Sequence, residues 1–296
     1  MSKIILLGGS GFIGKTILPM LQKESFHIMT LIHKNHLKLD VNTFSGDICI
    51  PGLLDSQLED NDIIINLIGQ YENNLSKFIN NNIIGTLNIL NSVIKKKNIR
   101  IILISSIGVY GENLKCLSKE SDEPNPQTTY GLVKLITEKI YQHYSTSHDI
   151  DTMVLRLSTL YGPFKKTGYF VNLIQSINNN ITTTVYNNGN QIRDMLFVED
   201  AANGIIQAVK KPQKGFTILN ISSGKQYKIM DIIKIIEKIS QKKLSVVLSD
   251  DIPDERCLSA DNSLARIKLG FIPQTSIEDG LRSTVEHFLE NNYSTK

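Results

Sequence analysis

Lys3-Ile-Ile-Leu-Leu-Gly-Gly-Ser-Gly-Phe-Ile-Gly14 is the stretch on which the reading of the chain turns. An apolar run, Ile4 to Leu7, breaks into glycines at Gly8, Gly9, Gly11 and Gly14, and helix-compatible residues follow from Lys15 to Lys23. Strand, tight glycine turn and helix form the start of a dinucleotide-binding unit. The turn needs residues without a Cβ so that the backbone can approach a diphosphate. The helix start then offers unpaired N–H groups and the positive end of a dipole. Two registers fit, Gly9-x-Gly11-x-x-Gly14 and Gly8-x-x-Gly11-x-x-Gly14. Pro19, in the second turn of the helix, is expected to kink it or to shorten its hydrogen-bond ladder.

Working outward, apolar runs alternate with amphipathic ones. His27 to His33 reads as the second strand, Gly46-Asp47-Ile48 closes a short third, and Asp62 to Gly69 reads as a buried parallel strand. Leu75 to Lys97 is a helical pattern carrying Leu75, Ile79, Ile83, Leu87, Leu90 and Ile94 at spacings of three and four. Gly85 inside it suggests close packing. Arg100 to Ser106 is the next strand. Tyr130 opens a helix with Leu132, Leu135, Ile136, Ile140 and Tyr144 on its apolar side. This alternation predicts an α/β fold, a doubly wound parallel sheet of Rossmann type with a smaller C-terminal lobe. The expected division is 1–160 with a return segment at about 191–222, against a lobe of 161–190 and 223–296. Ligands of such sheets bind beyond the carboxyl ends of the strands, where Gly8, Gly69 and Ser106 fall.

Composition excludes several classes. The 296 residues are 41% hydrophobic and 21% charged, and a net charge of +3 gives no case for nucleic acid. No apolar run approaches the ~20 residues of a membrane span, and the first strand begins at once, so neither membrane nor signal peptide is expected. Cys49, Cys116 and Cys257 are widely spaced and odd in number. They suggest no disulfide framework and no metal site, and suit a reducing cytoplasm.

Tyr130-Gly-Leu-Val-Lys134 places a phenol and an ammonium one helical turn apart. A lysine cation favours the phenolate and so suits the tyrosine to general acid–base work. Chance alone supplies about one such pair in a chain of this composition. A second pair, Tyr161/Lys165, has Pro163 inside it just after a strand, so an interior helical turn is not expected there. Ser105 and Ser106 end the strand before Tyr130, where a hydroxyl can bind the oxygen of a carbonyl or alcohol.

The second strand ends in His33-Lys34-Asn35-His36, without the carboxylate that would grip the ribose of NAD. His33 and Lys34 would suit a 2′-phosphate, hence NADP, with NAD as the alternative. Asp47 either faces the adenine or makes an Asx turn.

The chain resembles the extended short-chain dehydrogenases/reductases of the nucleotide-sugar epimerase/dehydratase family. The resemblance rests on Gly8 to Gly14, Gly46-Asp-Ile48, Asn82-Ile-Ile-Gly-Thr-Leu-Asn88 and Ser105-Ser-Ile-Gly-Val-Tyr-Gly111. It continues in Tyr130-x-x-x-Lys134, Arg156 to Pro163, Gln191-Ile-Arg-Asp194, Val198-Glu-Asp200 and Lys268 to Pro273. It implies that Tyr130 is the acid–base, that Lys134 holds the nicotinamide ribose and tunes Tyr130, and that Ser106 orients the substrate. Val109-Tyr110-Gly111 selects Ser106 over Ser105. The implied cofactor-binding set is Gly8, Gly11, Phe12, Ile13, Gly14, His33, Lys34, Asp47, Ile48, Leu67, Ile68, Gly69, Tyr130 and Lys134. Thr159, Arg193 and Arg256 would contact the substrate, the arginines through its diphosphate. The family usually has Asn at the position of Thr159, and its sugar 4,6-dehydratases carry Thr-Asp-Glu where this chain has Ser106-Ile-Gly, so dehydration is not expected.

A nucleotide-sugar substrate is therefore expected, and the resemblance allows a homodimer. The leading expectation is an NADPH-dependent 4-ketoreductase of a dTDP- or GDP-linked 4-keto-6-deoxyhexose in deoxysugar biosynthesis. The alternatives are an NAD-dependent 4-epimerase and, remotely, a non-catalytic nucleotide-binding scaffold.

Overall fold

The computed structural model describes residues 3–33, 41–69, 74–111, 117–250 and 257–290. The glycine-ended apolar run is β1 (Ile4–Leu7), followed by α1 (Phe12–Lys23), β2 (Ile28–Ile32), β3 (Asn42–Ser45) and β4 (Ile63–Asn66). One long helical segment then runs as α2 (Leu75–Ile79), a π-helical turn over Asn80–Ile84, and α3 (Gly85–Val93). β5 (Arg100–Ser106), α4 (Thr129–His148) and β6 (Asp151–Leu157) follow, then β7 (Thr159–Tyr161), α5 (Tyr169–Asn179) and β8 (Thr183–Tyr186). β9 (Ile192–Arg193), β10 (Met195–Phe197), α6 (Val198–Lys210) and β11 (Phe216–Ile221) return the chain to the main sheet. β12 (Tyr227–Lys228), α7 (Ile229–Ser240), β13 (Val246–Ser249), β14 (Cys257–Leu258), α8 (Ser263–Leu269) and α9 (Ile277–Glu290) complete it.

The central sheet has seven strands in the order β11-β6-β5-β4-β1-β2-β3, every neighbouring pair parallel. Strands buried on both faces explain the continuous apolar runs, and the chain reverses direction of growth between β1 and β4. The cleft above that switch point receives Gly8, Gly69 and the end of β5. One face is packed by α1 and α6 through Ile17, Leu18, Leu21, Ala201 and Ile205. The other carries α3 and α4 through Ile89, Leu90, Val93 and Tyr141. A separate core, built from α5, α7 and α9 with β8 and β10, centres on Leu173, Ile174, Ile232, Ile236, Leu281 and Val285. Its helices all lie beyond residue 161, but α8 packs on the main core through Ala265 and Leu269.

α1 continues through Pro19 to Lys23 with Pro19 exposed on the outer surface, where the missing Pro19 N–H takes one bond from its ladder. Other expectations need amendment. The apolar stripes of two helices coincide only in part with their buried faces: Leu90 is fully buried and Leu135, Ile140 and Tyr144 pack half-buried on the cores, but other members face out. Leu75 is 50% exposed, Leu132 48% and Ile136 41%, with Ile79 and Ile94 also exposed. The buried face of the first helical segment holds Phe78, Asn82, Thr86, Ile89, Leu90 and Val93. That of α4 holds Lys134, Thr137, Glu138 and Tyr141. Cys257 is disulfide-bonded while Cys49 is a free thiol, since spacing along the chain does not report which cysteines meet in space. Among the described residues no helix is long and apolar enough to cross a membrane.

Candidate active site

The glycine turn has the form the sequence requires. Gly8 adopts φ +91°, and a Cβ at Gly14 would lie 2.4 Å from the carbonyl oxygen of Gly9, so the helix packs directly on the turn. Gly11 is the N-cap of α1 and supplies no side-chain acceptor; the first turn carries no acidic residue. The N–H groups of Phe12, Ile13 and Gly14 are thus left to an anion. A dinucleotide diphosphate fits this cradle.

On the far side of the cleft, Gly69 ends the turn after β4 at φ +122°. A Cβ there would lie 2.3 Å from Asn82 Oδ1 and 2.4 Å from Lys134 Nζ, so only glycine lets these side chains converge. Asn66 shapes this turn: its Oδ1 accepts from the Ile68 N–H at 3.0 Å and its amide donates to the Tyr141 hydroxyl at 3.1 Å. Ile48 is buried against Gly85, whose missing side chain provides the close packing expected of it. Asp47 makes the Asx turn, accepting from the Cys49 N–H at 2.9 Å.

Ser106, Tyr130 and Lys134 come together at the end of β5. Thr128 caps α4 by accepting from the Gly131 N–H, which fixes where the helix starts and hence where Tyr130 stands. Ser106 hydrogen-bonds Tyr130, and its Oγ also accepts from the Gly108 N–H at 3.1 Å. The Tyr130 ring stacks on Phe78, centroids 6.0 Å apart. Burial raises the Tyr130 phenol above its ordinary value, and the Ser106 hydrogen bond only partly opposes this. Lys134 Nζ donates to the carbonyls of Ile104 (3.0 Å) and Ile68 (3.3 Å), bridging the ends of β5 and the β4 turn. Burial lowers Lys134 to about 8, while the Glu138 carboxylate one turn on pulls it upward. In this state the lysine braces the cleft rather than lowering the phenol.

The two described substrate candidates lie in the short strands that follow β6. Thr159 opens β7, half-buried, its N–H donating to the Asp194 carbonyl at 3.0 Å. Arg193, also half-buried, sits in β9 between β12 and β14 and donates to the Ile192 carbonyl at 2.8 Å. Arg256 and Lys34 lie outside the described residues. His33 is described, and its Nε2 stands 3.5 Å from Asp47 Oδ2. The end of β2 is therefore not free of a carboxylate. The adjacent strand β3 leads the chain to Asp47, which no local reading of 33–36 could find.

Sequence reasoning assigned no role to the layer behind the triad. Glu138 and Arg156 are each 2% exposed and form a bidentate pair, Arg156 Nη2 to Oε2 at 2.7 Å and Nε to Oε1 at 3.1 Å. Ser105 Oγ donates to Glu138 Oε1 at 2.5 Å, and the Arg156 guanidinium lies 4.7 Å from the Tyr110 ring centroid. Neighbouring residues of β5 thus divide the work: Ser106 faces the cleft and Ser105 ties the strand to α4. The i, i+4 spacing of Lys134 and Glu138 was the available signal.

Residues 4–222 match the family described as NAD dependent epimerase/dehydratase. A UDP-glucose epimerase of Bacillus subtilis (strain 168), described as uncharacterized, is 28% identical over 308 residues, covering 96% of this chain and 97% of its own length. A UDP-glucuronate 4-epimerase of Thermodesulfobacterium geofontis is 29% identical over 217 residues, covering 72% of this chain and 67% of its own. The solved structure of UDP-glucuronic acid 4-epimerase from Bacillus cereus, in complex with UDP-glucuronic acid and NAD, superposes with a TM-score of 0.88 at 26% identity, covering 98% of this chain and 99% of that one. With the glycine turn, the doubly wound sheet and the Tyr-x-x-x-Lys pair in one cleft, the chain belongs to the NAD dependent epimerase/dehydratase family.

Proposed function

We propose that the protein is an NAD-dependent 4-epimerase of a UDP-linked hexose or hexuronate. The observation that carries this reading is a proton-transfer cluster of Ser106, Tyr130 and Lys134 whose strand serine is followed by no acidic pair. The residues after Ser106 are Ile107, Gly108 and Val109, in a 3₁₀ turn. Eliminating water from a sugar needs a further acid and base, whereas inverting C4 needs one group that takes the hydroxyl proton and gives it back. Tyr130 is that group. Ser106 holds the C4 oxygen in line with the phenol, and Lys134 keeps a positive charge one helical turn away. A bound nicotinamide ring supplies the hydride acceptor and donor. It would be held by the glycine turn, by Asp47 and Ile48 at the adenine end, and by Leu67 to Gly69 with Lys134 at the ribose.

Two considerations favour this over the NADPH-dependent reductase. The Asp47 carboxylate beside His33 sets a negative charge where a 2′-phosphate would have to sit. The similar proteins that span most of the chain include an uncharacterized UDP-glucose epimerase and a UDP-glucuronic acid 4-epimerase. The test is to incubate the purified protein with UDP-glucose and UDP-glucuronate and follow C4 configuration by proton NMR. Interconversion without added reductant supports the reading. No interconversion, together with oxidation of NADPH by a dTDP- or GDP-4-keto-6-deoxyhexose, would restore the reductase.

Arg193 is proposed to bind the substrate diphosphate. A charged hydrogen bond contributes ~1.5–3 kcal/mol, so Arg193→Ala should raise KM for the sugar nucleotide roughly 10-fold or more. Steady-state kinetics with an unchanged KM would show a purely structural arginine, held by contacts such as those to the Ile192 carbonyl and Gln191 Oε1.

A further inference from the structure

Lys165 belongs to the Tyr161/Lys165 pair that sequence spacing set aside, and the structure confirms that no helix joins the two. Tyr161 ends β7 and lies buried in the second core. Lys165 lies four residues on, in the segment leading to α5. The residue before it, Phe164, is held in the left-handed region at φ +67°. That conformation is uncommon for a bulky residue and marks a turn imposed by its surroundings. The turn aims the lysine inward. Its ammonium donates to the Leu160 carbonyl and stands 5.6 Å from the centroid of the Phe12 ring. Phe12 is the first residue of α1.

Among the described residues no carboxylate forms an ion pair with Lys165, and burial alone lowers it, to about 8, with no neighbouring charge contributing. A half-buried cation with no carboxylate paired to it among the described residues is suited to an anion that completes it. Among the described residues the Leu160 carbonyl is the acceptor found for its three N–H donors. The nearest feature built for an anion is the uncapped start of α1, with its glycine turn.

We infer that Lys165 is a cationic contact to the diphosphate of the bound dinucleotide, reaching across the cleft from the segment between β7 and α5. The assignment rests on the dinucleotide reading given above. It has a structural consequence. α5 belongs to the second core, so a contact from its leading segment ties the dinucleotide to the part of the molecule that would close over the substrate. The substrate carries a diphosphate too, and the same chemistry would serve it. The experiment must therefore separate the two sources.

The probes are ADP-ribose and UDP, titrated separately by calorimetry into the full-length chain after removal of any co-purified nucleotide. Wild type is compared with Lys165→Met, with Lys165→Gln, which keeps a donor for the Leu160 carbonyl, and with Lys165→Arg. Loss of one charge-assisted contact should weaken ADP-ribose at least about 5-fold in the Met and Gln variants. UDP should be weakened less, and Arg should restore most of the ADP-ribose affinity. A smaller change for ADP-ribose in both neutral variants overturns the assignment, as does an equal or larger loss for UDP. Should one neutral variant fail to fold, the other decides. Wild-type protein that binds neither ADP-ribose nor NAD overturns the dinucleotide reading itself, and is distinguishable from wild-type binding that the substitutions leave intact.

Discussion

Tyr130→Phe lowers turnover at least about 100-fold, the low end for loss of a general acid–base, while dinucleotide affinity changes little. The substitution removes one oxygen and keeps the ring that stacks on Phe78, so α4 and the Lys134 bridge to Ile68 and Ile104 are retained. What is lost is the atom that Ser106 hydrogen-bonds. With burial raising the phenol, Tyr130 is protonated at neutral pH in the free chain, and it must give up that proton before it can accept one from a C4 hydroxyl. A cation in the cleft is therefore part of the device, and Lys134 is the one a helical turn away. Tyr161→Phe is the matched control. Its hydroxyl lies in the second core near Gly280, away from the triad, and its loss should leave turnover close to wild type. Steady-state kinetics on a UDP-sugar, with nucleotide binding measured in parallel, checks both. Near wild-type turnover in Tyr130→Phe would remove the assignment.

Arg156→Met is expected to destabilise the fold by ~3–5 kcal/mol, the cost of leaving one partner of a buried ion pair uncompensated. Glu138 would keep Ser105 as a donor but lose both guanidinium hydrogen bonds in a site sealed from water. The loss reaches the chemistry as well, because Glu138 supports the charge of Lys134 and because Ser105 shares β5 with Ser106. Replacing both partners, Arg156→Met with Glu138→Leu, should recover much of the stability, since the desolvated charge goes with its partner. Denaturant unfolding of the single and double variants measures this. A single-variant loss below about 1 kcal/mol would mean that the pair is hydrated in solution and contributes as a surface pair does.

Much of the fold and of the triad was legible because it rests on local chemistry. A glycine turn needs its glycines wherever it stands, and strands buried on both faces must be apolar. A phenol and a lysine that share a helix face must be three or four residues apart. What sequence hid was contact between distant segments. Asp47 meets His33 only because two parallel strands lie side by side, and Arg156 meets Glu138 only because β6 and α4 pack together. Lys165 was set aside for a sound local reason, the absence of a helix, yet arrives beside Phe12 through a turn that no periodicity marks. The apolar stripe of α4 misled for a different reason. Stripes are read on the premise that the apolar side faces inward, and here the inward side carries Lys134 and Glu138 while Leu132 and Ile136 face out. The π-helical turn at Asn80–Ile84 adds a residue to one turn and shifts which side chains point inward, placing Asn82 beside Gly69.

The central claim is that hydride leaves sugar C4 and returns to it within one active site. The direct measurement uses UDP-glucose, or UDP-glucuronate, deuterated at C4, with purified protein and NAD present only in catalytic amount. The account predicts the C4 epimer with deuterium retained at C4 and no accumulation of reduced cofactor at 340 nm. Deuterium lost to solvent, or passed to the dinucleotide until all of it is reduced while the sugar remains a ketone, would contradict it.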